Sequence, residues 1–173
     1  HKVGIQYAYD KGYKYLVTMD ADLTHSPENI RTLLSLKDRY DVIVGSRHMR
    51  KESLEGWQPL RKLMTVTAHF LTTHMLQLKY DSTGAFRFYS LERIPKEFFK
   101  MVESDGYSFF FESLHMLNVN GFRIHEIPID LPPRAAGSSK MNARDALKSL
   151  NMLFQMWIRT TFSKKTMLLP QRR

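Results

Sequence analysis

Two aspartates directly after a short apolar segment constrain the fold of this chain most strongly. Residues 15–19 are rich in β-forming side chains, which predicts a buried strand of the parallel type. Asp20 and Asp22 follow it, and Ser26 with Pro27 is typical of the N-cap and first residue of a helix. The acids therefore lie in a strand-to-helix turn at a carboxyl strand end, where open α/β sheets bind ligands.

The spacing of the two acids predicts a shared role. In an extended segment, Asp20 and Asp22 leave the chain on the same side. Two carboxylates with little bulk between them suit Mg²⁺ or Mn²⁺ carrying a diphosphate. The alternative is that both acids only stabilise the start of the next helix, whose first turn favours negative charge. Ser26 can already cap that helix, which favours the metal.

Strand and helix patterns alternate along the chain, and this predicts an α/β fold with a mostly parallel sheet flanked by helices. A long polar loop covers residues 48–59 and a turn covers 81–84. The predicted strands cover residues 15–19, 41–45, 85–89 and 122–127, and the predicted helices cover 1–11, 27–37, 60–78, 108–120 and 143–162.

The charge distribution predicts a polyanionic partner. The net charge is +9, and nine Lys or Arg follow residue 133 against one acid. Nucleic acid, an anionic membrane and a phosphorylated substrate would all match this asymmetry. The aromatic residues are concentrated in predicted helices, not on a strand platform, which disfavours RNA. The chain has no cysteine and therefore no disulfide framework.

Two basic features are candidate phosphate contacts. The segment from Arg134 to Lys140, which includes Ser139, is a glycine-containing loop whose amides and cations could clamp a phosphate. Arg87 lies in a short predicted strand, where an arginine needs an anionic partner or an exposed face.

The last helix is amphipathic. Its apolar face either lies at a membrane interface, supported by flanking cations, or packs on the core. We therefore separate residues 142–173, an amphipathic helix with a basic tail, from residues 1–141. That face consists of Ala143, Leu147, Leu150, Phe154, Trp157 and Thr161, and it is widened by Ala146 and Leu153.

Five segments together resemble the dolichol-phosphate mannosyltransferase-like branch of the family 2 glycosyltransferases, which have the GT-A fold. The resemblance covers residues 1 to about 162. Such proteins begin with strands and helices that hold the nucleotide base, and the resemblance implies that this N-terminal part is missing here. It therefore implies that residues 1–141 are the C-terminal part of a GT-A catalytic domain. The segments are Met-Asp-Ala-Asp-Leu (19–23), Val-Gly-Ser-Arg (44–47), Asp-Ser-Thr-Gly-Ala-Phe-Arg-Phe-Tyr (81–89), Gly-Tyr-Ser-Phe-Phe-Phe-Glu (106–112) and Pro-Arg-Ala-Ala-Gly-Ser-Ser-Lys-Met (133–141).

The resemblance implies roles for the acids. Asp20 and Asp22 match the DxD pair, with Asp22 as the direct metal ligand. Asp81 matches an acid near the sugar of the donor. Glu112 matches the acid of a Gln-x-Glu motif, although Phe110 stands where the glutamine is usual.

The resemblance also implies roles for other polar residues. Thr24 would offer an oxygen to the metal or a phosphate, where many relatives carry Gln or Ser. Arg47 would lie near the acceptor phosphate. Arg87, Arg134 and Lys140 would meet phosphates of the donor or of the lipid acceptor.

The implied reaction is the metal-dependent, inverting transfer of a mannose- or glucose-type hexose from a nucleotide-diphosphate sugar to a dolichyl or undecaprenyl phosphate. The implied location is the cytoplasmic face of a membrane, the inner membrane in a bacterium or the endoplasmic reticulum in a eukaryote. No nucleic acid is expected as a partner.

Two alternatives remain. Residues 20–24 also fit the DxDxT motif of haloacid-dehalogenase-type phosphatases, in which Asp20 would be the nucleophile. That class needs a distal acid cluster, and Glu126 and Asp130 are not paired in that way. The other alternative is a non-catalytic basic module that docks on an anionic membrane.

Overall fold

The computed structural model describes residues 1–22, 24–132 and 143–170, and the fold of these residues is α/β. Short 3₁₀ turns cover Lys51–Leu54 and Lys164–Met167. The predicted alternation of strands and helices is confirmed. The elements are α1 (Lys2–Asp10), β1 (Tyr15–Thr18), α2 (Glu28–Ser35), β2 (Val42–Ser46), α3 (Pro59–Leu76), β3 (Arg87–Ser90), α4 (Lys96–Met101), α5 (Ser108–Val119), β4 (Ile124–Pro128) and α6 (Ala143–Phe162).

The four strands form one small mixed sheet in the order β1-β3-β2-β4. β3 runs antiparallel to both of its neighbours, with Phe88 opposite Val17 on one side and Ile43 on the other. β2 and β4 are parallel. The prediction of a mostly parallel sheet is therefore wrong. The prediction of β1 as a buried strand of the parallel type is wrong too, because β1 lies at the end of the sheet, pairs antiparallel with β3 and is only half-buried. β1 and β2 do point the same way, as the intervening helix predicts, but no local pattern shows that β3 inserts between them.

The two faces of the sheet carry separate parts of the core, because side chains alternate across a strand. Val42, Val44 and Tyr89 face a large cluster with α1, α4, α5 and α6. Ile43 and Phe88 face a smaller cluster that includes α2 and the loop after β2. Helices therefore cover the sheet on both sides, which is consistent with the GT-A fold.

α6 has an inner and an outer apolar side. Leu153 and Met156 are buried where α6 packs against α3 and α5. Most of the predicted apolar face points away from this contact, and Leu147 is 68% exposed. Leu153, which the prediction placed on the same face, lies on the buried side instead. α3, the neighbour of α6, also exposes apolar side chains. We call the two exposed sets the outer apolar surface, formed by Leu60, Leu63, Met64, Val66, Phe70, Leu147, Leu150, Phe154, Trp157, Ile158 and Phe162.

Within residues 1–22, 24–132 and 143–170, no helix has the length and apolar character that crossing a membrane requires.

Buried polar side chains of α5 hold the end of the described chain in place. The His115 Nε2 atom lies 2.8 Å from the Thr160 hydroxyl on α6. Asn120 donates to the Met167 carbonyl and accepts from the Leu169 amide, each at 2.8 Å. α6 and the turn after it are thus part of the packed fold. The proposed domain boundary at 141/142 lies outside the described residues and stays a prediction.

The buried His115 generates a prediction about pH. Burial, with the charge of Lys164 nearby, lowers the pKa of His115 to about 4, against roughly 6.5 in the unfolded chain. The unfolded chain therefore takes up this proton first as pH falls. The stability contribution is complete above about pH 6.5 and is lost as pH falls towards 4. His115→Gln should reduce the stability lost between pH 7 and pH 5 by about 1–2 kcal/mol, measured by urea unfolding.

The control for this experiment is His74→Gln, because His74 is exposed on α3. This variant should lose as much stability between pH 7 and pH 5 as the wild type loses. If His115→Gln also loses as much stability between pH 7 and pH 5 as the wild type, then His115 does not cause the pH dependence.

Candidate active site

The direction of β3 brings three polar segments to one edge of the sheet. The carboxyl ends of β1 and β2 lie at the same edge as the amino end of β3, because β3 is antiparallel to both. The turn after β1 supplies Asp20 and Asp22, the loop after β2 begins with Arg47, and the turn before β3 supplies Asp81. We call this edge the site edge.

Close packing at the end of β2 explains one glycine of the Val-Gly-Ser-Arg segment. A Cβ atom on Gly45 would lie 2.6 Å from the Phe86 ring and 3.0 Å from the side chain of Ile129. Real Cβ atoms do not approach so closely, so a larger residue would displace Phe86. The glycine therefore lets the turn before β3 lie directly against the end of β2.

A buried ion pair between Arg47 and Asp81 is the strongest contact at the site edge. The Arg47 Nε and Nη2 atoms donate to the two carboxylate oxygens at 2.8 and 2.7 Å, and the Arg47 amide donates at 3.0 Å. Arg47 Nη2 also donates to the Thr83 hydroxyl at 2.6 Å. Burial would raise the pKa of Asp81, but the Arg47 guanidinium holds that pKa well below its usual range. Asp81 is therefore a fixed anion.

Asp20 belongs to the same electrostatic environment. Burial would lower the pKa of Arg47, but the negative charges of Asp81 and Asp20 together raise that pKa. The turn that carries the paired acids therefore lies near the Arg47–Asp81 pair, as the sequence predicts for ligand-binding residues at one sheet edge.

Glu126 supports the pair from behind, and the sequence analysis did not assign it to the site. Its carboxylate accepts the backbone N–H of Asp81. Burial raises the pKa of Glu126, against the hydrogen bonds from Asp81 and from Ser46. The available sequence signal was an acid inside a short predicted strand, next to His125. Its partner was not visible, because it depends on the pairing of β2 with β4.

Two histidines fill the space beside Asp81. The rings of His48 and His69 stack with centroids 3.9 Å apart, and His48 Nε2 lies 3.9 Å from an Asp81 oxygen. Burial lowers the pKa of His48 to about 4 and also lowers the pKa of His69. Both rings are therefore neutral at pH 7, and they join the loop after β2 to α3.

The turn with the paired acids is held by its own side chains. Asp22 accepts from the Thr24 hydroxyl at 2.6 Å and from the Thr24 amide at 3.2 Å. The Ser26 hydroxyl accepts the Glu28 amide at 3.3 Å at the start of α2. The N-cap residue is Pro27, so the prediction of Ser26 as N-cap and Pro27 as first helical residue is wrong by one position. Capping therefore does not require Asp20, whose side chain is 46% exposed.

The oxygen donors of this turn fit a divalent ion that arrives with a diphosphate. No group of three or more His, Cys, Asp or Glu side chains is placed to hold a metal within the described part of the chain. Mg²⁺ is usually bound by one or two carboxylates together with substrate phosphates. Asp20 and Asp22, with the Thr24 hydroxyl beside them, supply such a partial set.

Arg87 and Glu112 are buried within the fold. The Arg87 guanidinium is fully buried and donates to the Ser82 and Phe110 carbonyls, both at 2.7 Å. Glu112 accepts the backbone amides of Glu103 and Ser104 at 2.9 and 2.7 Å, so it holds the segment after α4. The phosphate contact of Arg87 and the catalytic role of Glu112 stay predictions, and the contacts seen are structural.

Arg134, Ser139 and Lys140 lie outside the described residues. The phosphate clamp that they were predicted to form stays a prediction.

The buried ion pair generates a prediction about stability. Arg47→Met leaves the Asp81 carboxylate buried without its cation and should destabilise the fold by about 3–5 kcal/mol. Arg47→Met combined with Asp81→Leu should cost less than the sum of the two single changes, because both charges are then removed together. Urea unfolding of the three variants measures this coupling.

A matched control is the exposed pair of Arg50 and Asp130, whose side-chain atoms lie 3.3 Å apart. Arg50→Met should cost less than about 1 kcal/mol, because exposed ion pairs contribute little. Strict additivity of the Arg47 and Asp81 changes would contradict the interaction described here.

Comparison with known proteins places the site edge inside a matched region. Residues 2–101 match the family model for glycosyl transferase family 2. Polyprenol monophosphomannose synthase of Mycolicibacterium smegmatis is 33% identical over 149 residues, which cover 83% of this chain and 56% of that protein. Undecaprenyl-phosphate mannosyltransferase of Micrococcus luteus is 31% identical over 140 residues, covering 80% and 58%. The chain thus spans a little over half the length of these relatives.

Proposed function

This chain belongs to glycosyl transferase family 2, and we propose that it acts in the transfer of a mannosyl group from a nucleotide-diphosphate sugar to a polyprenyl phosphate. The observation that carries this proposal is the placement of the Asp20–Asp22 turn and the Arg47–Asp81 pair at the same edge of the sheet, within the matched region. The names of both relatives support mannose as the sugar and a polyprenyl phosphate as the acceptor. The comparisons give no support to the phosphatase alternative.

The residues of the site edge suit a displacement between two phosphorylated molecules. Asp20, Asp22 and Thr24 would hold Mg²⁺ or Mn²⁺, which supplies positive charge to the leaving diphosphate when it is bound. Asp81, fixed by Arg47, would position the sugar, and Arg47 would lie beside the acceptor phosphate. An oxygen of that phosphate forms the new bond to the sugar carbon as the bond to the diphosphate breaks, which inverts the carbon.

The acceptor explains why the site edge needs no strong general base. A phosphate monoester is an anion near neutral pH and does not have to lose a proton before it attacks. His48 and His69, whose rings stack beside Asp81, are therefore not required to take up a proton in this step.

The paired acids generate the prediction that tests this function. Asp22→Asn retains an oxygen for the Thr24 hydroxyl but loses the charge, so the fold should persist while transfer of labelled mannose falls at least 100-fold. A chelator should abolish wild-type transfer, and Mn²⁺ should restore it. Asp105→Asn, at an exposed acid paired with Lys2, should retain activity. Full transfer by Asp22→Asn or in the presence of chelator would refute the metal assignment.

We further propose that the outer apolar surface lies on an anionic membrane at its cytoplasmic face. A polyprenyl chain stays in the bilayer, so the enzyme has to approach the lipid. α6 exposes Trp157 and Phe162 on one side, and Lys164 and Lys165 are exposed directly after it. A wide apolar face with flanking cations is the pattern of a helix that lies in the interface. The membrane would be the inner membrane of a bacterium or the endoplasmic reticulum of a eukaryote.

Two neighbouring residues of α6 separate membrane binding from core packing. Trp157→Ser should lose sedimentation with vesicles that contain phosphatidylglycerol and should retain the melting temperature, because the side chain faces outward. Met156→Ala should do the opposite and destabilise the fold by about 2–5 kcal/mol, because Met156 is fully buried.

The charge contribution is tested on the same vesicles. Lys164→Glu with Lys165→Glu should weaken sedimentation, and high salt should weaken that of the wild type. If the wild type never sediments and Trp157→Ser lowers the melting temperature, then α6 serves the core alone.

A further inference from the structure

His25 lies in the turn with the paired acids but is held by the core. Its side chain is only 4% exposed. The imidazole stacks on the Phe86 ring, with centroids 5.1 Å apart and planes 16° apart. Phe86 is itself fully buried against the end of β2. The position of the His25 ring is therefore fixed by packing, in contrast to the exposed parts of the turn.

The Nε2 atom of this ring is buried and has no hydrogen-bond partner. A buried polar atom without a partner costs free energy, so its retention calls for an explanation. The nearest opposite charge is the Asp20 carboxylate, whose Oδ2 atom lies 3.7 Å away. That separation is longer than a hydrogen bond, which needs about 2.7–3.2 Å.

The two partners differ in their freedom to move. Closing the gap requires a shift of less than about 1 Å. The His25 ring is buried and packed on Phe86, so packing opposes its movement. The Asp20 carboxylate is half exposed and can rotate. A hydrated cation can likewise reach Asp20 but not the buried ring nitrogen. The ring is therefore placed to orient Asp20, and not to bind the cation itself.

We propose that His25 is a positioning residue for Asp20 and that it acts when a divalent cation and a diphosphate bind. His25 Nε2–H donates to one Asp20 oxygen, and the other oxygen then faces the cation. The inference rests on the metal-dependent site of the proposed function. Partners that orient metal-binding carboxylates in this way are typically worth 10- to 100-fold in metal affinity.

The test measures Mn²⁺ binding directly by the loss of its free electron paramagnetic resonance signal, with and without inorganic pyrophosphate. His25→Phe retains an aromatic ring on Phe86 but has no N–H, so Mn²⁺ binding with pyrophosphate should weaken 10- to 100-fold while the melting temperature is retained. His25→Gln restores an N–H donor of similar reach and should recover part of the affinity.

The matched control is His125→Phe. The His125 ring also stacks on an aromatic residue, Tyr40, with centroids 4.3 Å apart. It lies on β4 and has no contact with the paired acids, so this variant should bind Mn²⁺ as the wild type does.

Three results would overturn the inference. If the wild type binds Mn²⁺ and His25→Phe binds it equally well, His25 only fills the core, and the proposed function stands. If His25→Gln recovers nothing and the wild type shows nitrogen hyperfine coupling to Mn²⁺, His25 is a ligand and not a positioning residue. If the wild type binds no Mn²⁺ with pyrophosphate, the metal dependence and the role of His25 fail together. Absence of mannosyl transfer despite His25-dependent Mn²⁺ binding would overturn the proposed function alone.

Discussion

The antiparallel insertion of β3 between β1 and β2 is the constraint on which the site edge depends. A parallel strand in that position would place the turn with Asp81 at the opposite edge of the sheet, about the length of a strand away from Arg47. The reversed strand instead delivers Asp81 to the carboxyl ends of its neighbours. Gly45 then allows Phe86 to pack against β2. The turn with Asp81 therefore lies close enough to the end of β2 for Asp81 to pair with Arg47.

The site edge divides into a rigid part and an adjustable part. Buried charge makes the first rigid, because Arg47 and Asp81 use their full bidentate geometry on each other and Glu126 holds the Asp81 backbone. The turn with Asp20 is the adjustable part, because the Asp20 carboxylate is half exposed to solvent. It lies 3.7 Å from the buried His25 ring, which is longer than a hydrogen bond. A site for a charged donor needs both properties. The rigid part sets distances in advance, and the adjustable part takes up the cation that comes with the ligand.

Local patterns predicted most of the elements and part of the site. The apolar segment before Asp20 and the period of α6 are local features, and they form a strand and an amphipathic helix as predicted. The prediction of a buried, parallel-type strand was nevertheless wrong, because β1 is half-buried and pairs antiparallel with β3. Of the two alternatives for the apolar face of α6, the structure leaves most of that face exposed but buries Leu153 in the core. The predicted relative direction of the strands was wrong, because strand order depends on pairings between distant segments. Glu126 was missed for the same reason. The expectation that Arg87 has an anionic partner or an exposed face was wrong for the described residues, because Arg87 is fully buried and donates to neutral carbonyls. Those carbonyls lie on a turn and a helix that no local pattern brings together.

That arrangement of Arg87 bears on how the chain folds. A guanidinium stays charged at every accessible pH, so the protein cannot reduce the burial cost of Arg87 by releasing a proton. Its carbonyl partners come from the turn before β3 and from the start of α5, 23 residues along the chain. β3 cannot enter the sheet with Arg87 satisfied until α5 has docked. The central strand and the most buried helix therefore assemble in one cooperative step, and an intermediate with the sheet complete and α5 detached is disfavoured.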